Sequence, residues 1–307
     1  MPMMLKTPLS YSQQIARLRE HGLSITDDAL AEEYLRTVGY YTLSGYALSF
    51  RKSVHDSNFK PGTTFEQISI CYEFAAELRR LLLDQLIWLE QLFRATIAYQ
   101  FSESHCVDAP HDQHYDLDNY KDRHRASKIL DSVEKHEAFY KGHAWYKHHK
   151  TKYDGKMPLW VLVRMLSFSS LSKYYGCLLD ADQCNIAHAL NTGPSILRNQ
   201  MYCLSALRNR CAHGDRLYNE KLKPGIKLPK ALKSGSSHID NSTLFAYTLA
   251  VLTRITEHTR CKCFAQALVR VFDKYSSKVE LRCVGAPPNY AEVINKYMQF
   301  PNEYNNR

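Results

Sequence analysis

Arg208, Asn209 and His213 bring together three side chains able to act on one phosphodiester. RNA supplies its own nucleophile, the 2′-hydroxyl, so cutting it requires no metal and no covalent enzyme intermediate. It requires a group that moves protons and positive charge where the phosphorane forms. A histidine titrates near about 6.5 in free peptides and transfers protons close to neutral pH. An arginine keeps its charge and offers phosphate oxygens a planar fork of donors. An asparagine can fix the histidine tautomer or hold a substrate oxygen. Positioned proton transfer is typically worth about 10²–10⁴-fold, and a preorganised electrostatic donor about 10²–10³-fold. Each residue also has an ordinary use. A histidine at a helix end interacts with the C-terminal dipole, and an arginine on an apolar stripe often completes a buried ion pair. Beside those ordinary uses three functional readings stand open: a metal-independent endoribonuclease, a non-catalytic RNA-binding module that grips phosphate with the same residues, and a metal-dependent nuclease.

The trio lies at the end of a helix. Gly193-Pro194 suits its start, Asn191 or Thr192 can cap it, and Gly214 is placed to stop it. Leu197, Met201, Leu204 and Cys211 recur at spacings of four, three and seven and give one apolar face. Arg208 falls on that face where a leucine is expected, so it must be paired or line a polar cleft. Asn209 and His213, four apart, stack one turn above the other.

Arg208-Asn209-x-x-x-His213 resembles the R-x4-H signature of HEPN ribonucleases. The longer string Arg208-Asn209-Arg210-Cys211-Ala212-His213, followed by Arg216-Leu217-Tyr218-Asn219, resembles the Abi-like abortive-infection family (AbiD/AbiF type). Further blocks agree. Tyr40-Tyr41-Thr42-Leu43-Ser44-Gly45-Tyr46 is similar to the family's N-terminal signature, Glu90-x-x-x-Arg94 to its acid–arginine element, and Pro158-Leu159-Trp160 and Ser167-Phe168-x-x-Leu171-Ser172 to two later ones. The resemblance runs from about Leu9 to Lys233. It implies an all-α, HEPN-like helical bundle with additional N-terminal and C-terminal helices. It also implies a phage-defence endoribonuclease of the abortive-infection or toxin–antitoxin kind, with RNA as substrate and, in some relatives, a structured small antitoxin RNA as partner. Such ribonucleases commonly build one cleft from two R-x4-H motifs. This chain carries one, which points to a homodimer. One departure stands out: Arg164 replaces a glutamate common in the family, so an acid that orients Arg208 must be Glu90 or be absent.

The remaining elements are read from periodicity. Short helices are expected at 11–20 and 27–37, and a long one from Thr64 to about Ser104. There Leu78, Leu82, Leu86, Leu89 and Phe93 form one stripe, and Leu83, Ile87, Ile97 and Phe101 a second, so neighbours should cover both sides. Glu90 and Arg94 stand four apart, acid first. They either pair within the helix or face Arg208 and His213; Arg210 and Arg216 are further supporting candidates. The tyrosines between Gly39 and Tyr46 either pack helices together or stack on bases. Three regions are expected: an N-terminal helical region at 1–60, a helical core at 61–275 and a tail at 276–307.

Residues 105–156 are polar and rich in histidine, including His105, His111, His114 and His136, with one exposed helix expected at 126–141. They contain no paired Cys-x-x-Cys or His-x-x-x-His set, so these histidines are expected to face solvent or RNA, with no metal and no cofactor. After the motif, Lys221, Lys223, Lys227, Lys230 and Lys233 lie on a Pro- and Gly-broken loop, either solvated or tracking a phosphate backbone.

The bulk numbers narrow the setting. The net charge of +9 favours a polyanionic partner. Hydrophobic content of 45% and charged content of 23% are those of an ordinary globular chain, and no apolar run is long enough to span a membrane. Nine scattered cysteines suit a reducing, cytoplasmic setting.

Overall fold

The computed structural model describes residues 7–53, 55–135, 137–229 and 239–304. Its organising element is α4, Phe65–His105, about 60 Å long at the standard helical rise. Thr64 caps it: the hydroxyl accepts from the Gln67 amide while the Gln67 side chain reaches back, so two end donors are satisfied reciprocally. Leu78, Leu82, Leu86, Leu89 and Phe93 are buried along one stripe. The second stripe does not hold as a unit. Ile97 and Phe101 are buried because they continue from Phe93 at steps of four, but Leu83 is only partly covered and Ile87 is 50% exposed.

Before α4 come α1 (Tyr11–Glu20), α2 (Asp28–Thr37) and α3 (Tyr40–Ala47). Ser10 and Asp27 cap the first two through their side chains, as short polar residues at that position should. After α4 come α5 (Arg123–Lys135), α6 (Glu137–Tyr140), α7 (Ala144–Lys152), α8 (Leu159–Met165), α9 (Phe168–Cys177) and α10 (Asp180–Ala189). Then follow α11 (Pro194–Ala212), α12 (Leu244–Arg254), α13 (His258–Tyr275) and α14 (Tyr290–Tyr304). Among the described residues only isolated β-bridges occur outside helices and turns. The fold is all-α. Helices α3, α8, α10, α11 and α13 all pack on α4, and α9 packs on α11.

The single helix expected at 126–141 is instead α5 and the short α6, with α7 following. Helix α5 is not an exposed strut: Ala126, Ile129, Leu130 and Val133 bury one face, and it packs against α9. His111, His124, His143 and His148 are exposed, as expected, whereas two others depart from that pattern. His114 is buried and engages the Met157 carbonyl through Nε2 at 2.8 Å, and His105 meets Asp182 at 2.9 Å. His136 lies outside the described residues.

Candidate active site

Helix α11 starts at Gly193 with Pro194 at its first position. No side chain caps it, so neither Asn191 nor Thr192 plays that part. Proline at that position lacks an N–H that would otherwise go without an intrahelical partner, and its fixed φ already suits the helix. Leu197, Met201, Leu204 and Cys211 are buried as the periodicity requires. Burial pushes the Cys211 thiol up to about 12, so no thiolate forms beside the motif near neutral pH. The helix ends at His213, and Gly214 follows with φ of 73°, the left-handed turn that only glycine takes without strain.

Two segments far apart in sequence meet at Arg208. Its Nε donates to Glu90 Oε2 at 3.1 Å and its Nη2 to Glu90 Oε1 at 3.2 Å. Glu90 also accepts from Arg94 Nη2 at 2.5 Å. Arg94 in turn donates to the carbonyls of Val163 at 3.0 Å and Leu166 at 2.8 Å, where α8 gives way to α9. The Glu90–Arg94 ion pair exists within α4, and the same carboxylate reaches across to Arg208 on α11, while among the described residues His213 is a partner of neither.

The Glu90 side chain is 8% exposed and the Arg208 side chain 25%. A carboxylate this buried is tolerable only with its oxygens occupied, and here two guanidiniums fill them. The three groups leave one net positive charge at the edge of solvent. An arginine has five N–H donors, and Arg208 gives two to Glu90. Among the described residues the other three make no hydrogen bond, which leaves donors that an anion could accept from. Arg164, the departure noted above, is exposed on α8 and takes no part. Glu90 is the acid that Arg208 meets.

His213 is exposed at the helix end. Its amide N–H donates to the Asn209 carbonyl at 2.9 Å, which stacks it one turn beyond that residue. Among the described residues its imidazole makes no hydrogen bond. Arg208, Asn209 and Arg210 are all partly buried around the same last turns. Arg216 is committed elsewhere: it donates to the Gly45 carbonyl at 2.7 Å and pairs with Glu220.

That commitment explains the N-terminal tyrosine block. Arg79 donates to the Tyr46 hydroxyl at 2.8 Å and to the Asp215 carbonyl at 3.2 Å, and Asn219 donates to Ser49 at 2.8 Å. Helix α3 and the turn after it thus clamp the loop that follows His213. Tyr46 is fully buried in this clamp, whereas Tyr41 is 91% exposed, so the block divides between packing and open surface.

The basic loop is not simply solvated. Leu222, Ile226 and Leu228 are buried, and the intervening Lys221, Lys223 and Lys227 are exposed. Asn199 accepts from the Lys227 amide at 2.6 Å, Gln200 donates to the Lys227 carbonyl at 2.8 Å, and Lys227 Nζ reaches Ser195 at 2.8 Å. The loop therefore runs back along α11 from its C-terminal end toward its start. Lys221 pairs with Asp240. Lys230 and Lys233 lie outside the described residues.

Lys173, Arg198 and Tyr202, which share a cleft along α11, were not singled out from sequence. The outward stripe of that helix would have flagged Arg198 and Tyr202. Lys173 needed the packing of α9 on α11. Among the described residues no group of three or more His, Cys, Asp or Glu side chains gathers to hold a metal ion, and no helix is long and apolar enough to cross a membrane.

Comparison with known proteins adds one match. A family model described as Abi-like protein covers residues 33–219, from α2 through the whole motif to Asn219. No curated protein and no solved structure matches the chain.

Proposed function

The chain belongs to the Abi-like protein family, a membership that points to abortive infection, and from that premise we propose that it is a metal-independent endoribonuclease of HEPN type. The observation that carries this reading is Arg208, held in a two-bonded grip by buried Glu90, on the helix that ends at exposed His213. A guanidinium whose direction is fixed before substrate arrives loses little entropy on meeting phosphate, which is what preorganised electrostatic stabilisation requires.

The 2′-hydroxyl of a bound ribose attacks the adjacent phosphorus and the bond to the 5′-oxygen breaks. The products are a 2′,3′-cyclic phosphate and a 5′-hydroxyl. His213 transfers a proton, taking it from the 2′-hydroxyl or giving it to the leaving oxygen. Arg208 neutralises the charge that gathers on the phosphorane, and Asn209 positions the imidazole or a substrate oxygen.

Each chain holds one such pair, so a working cleft with both a base and an acid is built by two copies. The surface beside Arg94 suits a second copy: Tyr99 and Trp160, both more than half exposed, line a cleft of about 700 Å³ with it. A monomer by light scattering that still cleaves RNA would overturn the dimer.

One observation favours the runner-up, a non-catalytic grip on a structured RNA. The His213 imidazole has no orienting partner among the described residues, whereas catalytic histidines are usually held by one. The deciding experiment digests RNA with the wild type and with His213→Ala, with and without EDTA, followed by end-group analysis. Cyclic phosphate ends, loss on His213→Ala, indifference to EDTA and no cut at a 2′-deoxy position support the nuclease. Binding without cleavage of any RNA supports the grip.

A further inference from the structure

The outward stripe of α11 continues away from the motif. From His213 it passes through Asn209, Ala206 and Tyr202 to Arg198 at helical steps of four and three, and it is exposed or partly exposed throughout. At the Arg198 end lies a cleft of about 890 Å³. Its walls carry Arg125 and Lys128 from α5, Lys173 from α9, Arg198 from α11 and Lys227 from the basic loop. Among the described residues no carboxylate lines it. Arg125 is loosely paired with Asp122 at 3.6 Å; Lys128, Lys173 and Arg198 have no acidic partner among the described residues. Like charges gathered around one hollow repel each other, and a polyanion or a high salt concentration relieves that.

The cleft and the motif are joined by the packing. The start of α9 follows Leu166, whose carbonyl is bonded by Arg94, while Gly176 near its end faces Arg198; a Cβ there would stand 3.6 Å from the Arg198 Nε. Helix α9 therefore runs antiparallel to α11, one end by Arg208 and the other by Arg198. On the other flank the basic loop returns along α11 from Asn219 to Lys227. The exposed stripe thus runs between α9 and the loop and leads from His213 into the cleft at Tyr202 and Arg198, a course that forms a trough at that end. From His213 to Arg198 is fifteen residues, about 22 Å at the helical rise. That span holds roughly six nucleotides at the 3.4 Å stacked rise of one strand.

We propose that this trough is the path of single-stranded RNA away from the scissile position, with Lys173 and Arg198 on its phosphates and Tyr202 under a base. Tyr202 is 48% exposed on the floor between the two charged ends, where a ring can stack on a base irrespective of sequence. The assignment rests on Arg208 and His213 marking the RNA end of the trough.

The test measures anisotropy of unstructured RNAs of about four and about twelve nucleotides on the His213→Ala protein, with and without Lys173→Ala/Arg198→Ala, across a salt series. The longer RNA should bind at least about tenfold tighter than the shorter. The double substitution should remove that advantage and flatten the salt slope by about 0.7 per lost phosphate contact, leaving the short RNA unaffected. Tyr202→Ala should weaken the longer RNA by about tenfold with the salt slope unchanged. Both sites are on the surface, and an unchanged melting temperature checks folding. Equal affinity for both lengths, or a double variant that binds the longer RNA as its parent does, overturns the path. So does inorganic phosphate or a mononucleotide binding as tightly as the longer RNA, which would make the hollow a small-ligand pocket. Length-dependent binding lost in the double variant, with a wild type that cuts no RNA, would remove the nuclease reading and keep the path. Cleavage by wild type and by Lys173→Ala/Arg198→Ala with His213 intact, when the same double substitution leaves binding of both lengths as in the parent, would do the reverse.

Discussion

The segment 105–156 and the junction of α4 with α11 both hold residues able to do chemistry, and they treat them in opposite ways. In the first, histidines are dense in sequence, several stay exposed, and those that are enclosed are spent one at a time. His114 is sealed against the Met157 carbonyl, His105 is matched to Asp182, and His149 engages the Trp145 carbonyl. In the second, charged residues are sparse in sequence but converge. One buried glutamate gathers two arginines from different helices, and an exposed histidine stands at the end of one of them. Density along the chain says little about a site. What distinguishes the two regions is whether ionisable groups meet across elements and still leave donors facing solvent.

The largest test of that contrast is on activity. His213→Ala should lower RNA cleavage by about 10²–10⁴-fold with the melting temperature unchanged, because the exposed imidazole holds nothing together. His105→Ala should do the opposite, lowering stability and leaving the specific activity of the folded protein intact. Cleavage assays paired with thermal melts read both, and equal activity losses would erase the distinction.

Next comes the carboxylate. Glu90→Gln leaves two arginines facing each other without a counter-charge, which should cost about 3–5 kcal/mol in urea unfolding. Cleavage should fall as well, since Arg208 is no longer aimed. A variant as stable as the wild type would mean that the cluster is hydrated rather than buried.

A smaller effect comes from His114. Burial lowers its pKa from the ordinary 6.5, so the folded chain refuses a proton that the unfolded chain accepts. The contribution to stability is complete above that ordinary value and is lost as the pH falls below it. His114→Gln should cost about 1–2 kcal/mol at neutral pH and make the melting temperature less sensitive between about pH 7 and 5. An acid slope identical in both proteins would exclude His114 as its source.

The smallest change is expected at the clamp. Arg216→Ala removes the bond to the Gly45 carbonyl and the pair with Glu220, for about 1 kcal/mol. Cleavage should fall only modestly, through loosening of the loop after His213, and a loss as large as that of His213→Ala would place Arg216 in the chemistry.

Much of this was legible in the chain itself. The bounds of α1, α2 and α4 follow from caps and stripes, because capping is a contact of residues three apart and amphipathicity a repeat along one helix. The break of 126–141 into shorter helices, and helices α3 and α10, were not read. Tyrosines with glycines at α3, and the mixed residues of α10, carry weak periodic signals, and packing on α4 supplies what propensity does not.

Sequence by itself determined the all-α class, the helix that ends at His213 and the misfit of a charged Arg208 on an apolar stripe, since each depends on neighbours within a few residues. Only the tertiary structure decided that Glu90, at a separation of 118 residues, answers that misfit, that Arg216 is spent on Gly45, and that the exposed stripe of α11 runs between α9 and the basic loop into a cleft. The physical reason is that pairing and burial are properties of the space between helices. That space exists only once α4 has brought its neighbours together.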